Sequence, residues 1–117
     1  MSVVADVLVG LVAALHLYFL VLEMFLWTRP LGRRVFGNEP EFAEASKVLA
    51  ANQGLYNGFL VAGLVWGIVS DQTDVTVFFL GCVIVAGLYG AATVSGRILV
   101  VQALPALLAL VAVLVAG

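Results

Sequence analysis

The sequence predicts an all-α fold: a single transmembrane domain over residues 1–117, built as a bundle of four antiparallel helices taken in sequence order. Three observations lead there. Of the 117 residues, 64% are hydrophobic and only 10% charged, with a mean hydropathy of +1.20, whereas soluble domains are about half apolar and a quarter charged. Four long apolar blocks follow one another, each close to the roughly 20 residues that a spanning helix needs. The second and third connections, residues 70–74 and 95–97, are so short that the helices they join are antiparallel neighbours. Four spans leave about 35 residues for ends and loops, too few for a soluble catalytic domain.

The first helix is expected over 4–27. Its opening residues carry Asp6 and no basic residue, and the apolar run beyond them is too long for a cleaved signal peptide, so the segment is expected to be retained. Arg29 and Pro30 stop it. The second helix is expected over 39–69. Asn38 with Glu41 three residues later has the spacing of a capping box, and Pro40 in the first turn costs no hydrogen bond. This helix begins outside the bilayer near Glu39 and enters it near Val48. The third is expected over 75–95 and the fourth over 98–116, with Pro105 kinking or relaxing it near Gln102. Small residues at Gly54, Gly58 and Ala62, at Gly63 and Gly67, and at Gly87 and Ala91 allow close helix packing.

Charge and cysteine content narrow the functional classes. A net charge of -2 with five basic residues argues against nucleic-acid binding, which needs a dense basic stripe. Cys82 is the sole cysteine, so neither an intramolecular disulfide nor a cysteine metal cluster is expected. No metal site is expected, and no cofactor is indicated. All five basic residues fall in the first and third connections or at their edges: Arg29, Arg33, Arg34 and Lys47, then Arg97. The second connection carries Asp71 and Asp74 instead. Since Lys and Arg are retained on the cytoplasmic side, both termini are expected outside the cytoplasm of a cell inner membrane. Trp27 and Trp66 then lie at the two interfacial levels that indoles prefer.

Polar residues inside the apolar blocks mark a candidate site. His16 and Glu23 lie seven residues apart on one face of the first helix, about 10 Å apart along its axis. The second helix carries Asn52, Gln53, Tyr56 and Asn57. Counted from the inner interface at about 1.5 Å per residue, Glu23 is level with Asn52 and Gln53, and His16 with Tyr56 and Asn57. An intramembrane ionisable group faces the bundle interior or a wet cavity. These six residues are therefore expected to line a polar intramembrane site, with Arg29, Arg33, Arg34, Lys47 and Arg97 around its cytoplasmic mouth. The alternative is that they serve as hydrogen-bonded packing between helices.

A family resemblance coincides with this layer. His16-Leu17-Tyr18, Leu22-Glu23-Met24-Phe25-Leu26-Trp27, Val35-Phe36-Gly37, Glu41-Phe42-Ala43 and the run from Leu49 to Phe59 resemble a family of small bacterial four-helix membrane proteins classed as a domain of unknown function. The resemblance covers essentially the whole chain and implies an integral inner-membrane protein, without an activity. A fainter similarity is to the membrane-associated proteins in eicosanoid and glutathione metabolism, whose second-helix spacing Asn52, Tyr56 and Phe59 match. Leu55 stands where that family has its glutamate, and Val48 where it has its glutathione-binding arginine. The similarity thus implies shared architecture and argues against glutathione transfer.

Three functional classes follow. One is a module, enzymatic or not, that holds a lipophilic or amphipathic ligand between helices, with His16 as a proton donor or acceptor. Another is a small proton-coupled transporter, which resembles the small multidrug-resistance exporters in length, helix number and an acid in the first helix. The third is an accessory subunit of a larger membrane complex. The lipid bilayer is a partner in all three, and self-association into a homo-oligomer is compatible with each.

Overall fold

Apolar runs broken at Pro30, Gly37 and Gly96 and at the Ser70-Asp71-Gln72 turn, where Asp71 takes φ 51°, give a helical fold among the described residues. The structure, a computed structural model, describes residues 1–116. Its helices are α1 (Val3–Met24), α2 (Pro30–Phe36), α3 (Pro40–Val69), α4 (Thr73–Thr93) and α5 (Leu104–Ala116), with a π-helical turn, Leu99–Ala103, leading into α5. Among the described residues four helical segments are long and apolar enough to cross a membrane: Val3–Met24, Pro40–Val69, Thr73–Thr93 and Leu99–Ala116. The chain divides into two compact units, one comprising Met1–Ala14 with the residues from Leu60 onward, the other Leu15–Phe59. The divisions fall inside α1 and α3.

The first unit has an apolar core. Ala5, Val9, Val12 and Ala13 of α1, Leu64 of α3, Leu80 and Val83 of α4, and Ala106, Ala109 and Val113 of α5 are all buried in it. The residues from α1, α4 and α5 repeat with the helical period, so each of these helices contributes one stripe, and α3 adds Leu64. The remaining faces stay apolar, with Val7, Leu11, Phe78, Val85 and Leu114 exposed. Such a surface suits hydrocarbon, where a helix is the segment that satisfies its own backbone.

Pro105 explains the π turn. A proline ring inside an α-helix clashes with the carbonyl four residues earlier and donates no hydrogen bond. Here the Leu104 N–H reaches back to the Leu99 carbonyl, so the ladder widens immediately before the proline, around Gln102. Against this turn lies Gly87 of α4, where an added Cβ would sit 2.8 Å from the Ala103 backbone nitrogen and 3.0 Å from its Cα. Glycine at this position is what permits the approach.

The second unit departs from expectation at its connection. The first helix ends at Met24 rather than near residue 27, and the segment from Pro30 to Phe36, expected as part of a linker, forms α2. Pro30 does more than stop the preceding helix: its fixed φ and missing N–H suit the first turn of the next one. Gly37 ends α2 in the left-handed region, φ 68°, and its N–H bonds to the Arg33 carbonyl. The Trp27 ring packs 4.9 Å from that of Phe36, and its Nε1–H donates to Ser46 Oγ at 3.0 Å. Those two contacts tie the connection and α2 to α3. With 30 residues, α3 is about 45 Å long, longer than the roughly 30 Å of a hydrocarbon core.

Candidate functional site

The second unit holds a buried acid. Glu23 is 9% exposed, Asn57 6% and His16 fully buried. Asn57 Nδ2–H donates to Glu23 Oε1 at 2.5 Å, linking α1 to α3. Gly54, one turn before Asn57 on the same face of α3, makes room for this pair. A Cβ there would lie 2.5 Å from Met24 Cγ and 3.2 Å from Glu23 Cβ. His16 packs edge-on against Phe19, with ring centroids 5.8 Å apart, and takes part in further polar or ring contact.

The structure does not gather the other polar residues of α3 around Glu23. Asn52, Gln53 and Tyr56 are exposed, Tyr56 to 60%. The reason is azimuth: at 100° per residue, Asn52 lies about 140° around the helix from Asn57. Ala43, Ala50, Gly54 and Asn57 form the buried stripe, and Asn52 and Tyr56 lie away from it. Among the basic residues, Arg33 Nε donates to the Thr28 carbonyl at 3.3 Å, and Lys47 Nζ pairs with Glu44 at 2.5 Å. Arg29 and Arg34 are exposed. Arg97 belongs to the other compact unit.

Beside the acid lies a cavity of about 350 Å³, lined by Glu23, Met24, Phe25, Trp27, Thr28, Lys47, Val48 and Ala51. Sequence reasoning found Glu23 and Lys47 but not the aromatic and small residues between them. The signal was present in Phe25, Trp27 and Thr28, where large rings meet a hydroxyl at the end of an apolar run. The lining combines an acid, a threonine and a lysine with mostly apolar neighbours. That chemistry suits a molecule with a small polar head and a hydrophobic body.

Comparison with known proteins places the chain in context. The family described as "Protein of unknown function (DUF1304)" matches residues 10–114. The chain belongs to this family. The resemblance to a family of unknown function is thereby borne out. Within reach of the same similarity is the Uncharacterized protein YpaA of Lactococcus lactis subsp. lactis (strain IL1403). It is 35% identical over 115 residues, which make up 95% of this chain and 97% of that protein. No solved structure matches the chain. The family match spans His16, Glu23, Asn57 and every residue lining the cavity.

Proposed function

We propose that this member of the family is an inner-membrane protein that holds an amphipathic or lipophilic molecule in the cavity beside Glu23. The polar head would lie near Thr28 and Lys47, and the apolar body against Phe25, Trp27 and Val48. The observation that carries this reading is the lining: Glu23, buried and amide-bonded, borders a cavity of about 350 Å³, within the roughly 300–1,000 Å³ of small-molecule sites. Glu23 lies on the lining and is held from behind by Asn57, with His16 two turns away along α1 on the same side. Asn52, Gln53 and Tyr56, expected in the site from sequence, are no part of this reading, because they are exposed and none of them lines the cavity.

Native mass spectrometry of the protein extracted with its own lipids tests the reading. A retained small molecule is expected, and Thr28→Val combined with Lys47→Leu is expected to release it while the thermal melt stays near that of the parent. A parent that carries no small molecule under gentle extraction would refute the ligand reading.

Orientation belongs to the same proposal. With Arg29, Arg33, Arg34, Lys47 and Arg97 held in the cytoplasm, a reporter fused after Gly117 is expected to read outside it. A cytoplasmic signal would reverse the topology and place the cavity's Lys47 end at the opposite face.

A further inference from the structure

The face of α3 that carries Asn52 has a pattern of its own. Ala45, Val48, Asn52, Leu55 and Phe59 are all exposed, and their spacings of three, four, three and four residues follow the 3.5-residue repeat of a helix–helix seam. Nothing in the described structure hydrogen-bonds the Asn52 side chain. Counted back from Val69 at the end of α3, Asn52 lies about 26 Å down the helix, about one turn inside the inner boundary of a hydrocarbon layer of roughly 30 Å. Acyl chains offer an amide neither donor nor acceptor, so an outward Asn at that depth is costly unless another protein surface meets it.

We propose that this seam is the contact between two copies of the chain, with Asn52 of each copy hydrogen-bonded to Asn52 of the other. The argument for a second copy is self-complementarity. An amide side chain carries both an NH₂ donor and a carbonyl acceptor, and a twofold axis along the bilayer normal brings identical depths of identical helices together. The two amides then satisfy one another with no further partner required. Val48, Leu55 and Phe59 interdigitate above and below, and a single polar residue in an otherwise apolar seam fixes the register. This contact is independent of the ligand cavity, which is lined by other residues of the second unit apart from Val48 at the edge of both.

Cysteine cross-linking in bilayer vesicles tests the contact. In a Cys82→Ala background, Leu55→Cys leaves Asn52 in place and is expected to form an interchain disulfide under mild oxidant. Leu108→Cys, exposed on α5, serves as the matched control and is expected to remain uncoupled. Adding Asn52→Leu to Leu55→Cys is expected to cut the cross-linked fraction about tenfold, with Asn52→Gln retaining part of it. The thermal melt of each variant reports folding separately. Cross-linking at Leu55 no greater than at Leu108, or undiminished by Asn52→Leu, overturns the proposal. Release of a ligand by the Thr28 and Lys47 substitutions bears on the cavity alone, so the two readings fail separately.

Discussion

Gly87→Val is expected to destabilise the protein by about 3 kcal/mol or more, at the upper end of overpacking effects. The obstruction is backbone rather than side chain. A Cβ at this position would lie 2.8 Å from the Ala103 nitrogen, 2.9 Å from its Cβ and 3.0 Å from its Cα, and none of these can swing aside as a flexible side chain would. Either α4 must retreat from the π turn or the turn must deform. Gly81→Ala is the companion measurement. An added Cβ at Gly81 meets nothing within 4 Å, so the change is expected to stabilise the helix by about 0.5–1 kcal/mol through backbone entropy alone. Thermal melts in detergent decide between them. Equal effects at both positions would show that general helix propensity, and not the approach of Ala103, governs the response.

The second large effect is expected at Asn57. Asn57→Leu removes the donor to a buried carboxyl, and a buried acceptor left without its partner costs about 1–3 kcal/mol. Replacing both ends of the bond by apolar groups of similar size removes the orphan. Glu23→Leu combined with Asn57→Leu is therefore expected to recover most of the stability lost by Asn57→Leu. The four melts of this cycle give the coupling directly. Additive effects would mean that the carboxyl and amide do not depend on one another, and that Asn57 does not hold Glu23 in place beside the proposed ligand cavity.

Much of the architecture was legible because hydrophobic length is a one-dimensional property. Apolar run lengths gave four helices able to span a membrane, and Pro105 indicated where the last would relax, since the steric conflict of proline is local. Helix α2 was harder to see. Pro30 reads equally as the end of one helix or the first turn of the next, and a seven-residue helix has too little periodicity to decide. The candidate site was blurred for another reason. The depth count set Glu23 level with Asn52 and Gln53, about a turn away from the Asn57 it bonds, and which side of α3 faces α1 depends on packing. Gly54 and Ala50 accompany Asn57 on the buried stripe, and they were the available signal: small residues mark the face where backbones approach. Asn52 at almost the same depth as Gly54 lies on a different side, and no depth count separates the two.

The bond between Glu23 and Asn57 also orders events during synthesis. Its partners are 34 residues apart, and at about 5–20 residues per second the ribosome adds Asn57 about 2–7 seconds after Glu23. Until α3 follows α1 out of the ribosome, α1 carries a carboxyl without its amide partner, a group that is expensive in a bilayer when charged. The first span is thus completed only by the second, since its buried acid finds its amide when α3 has joined it.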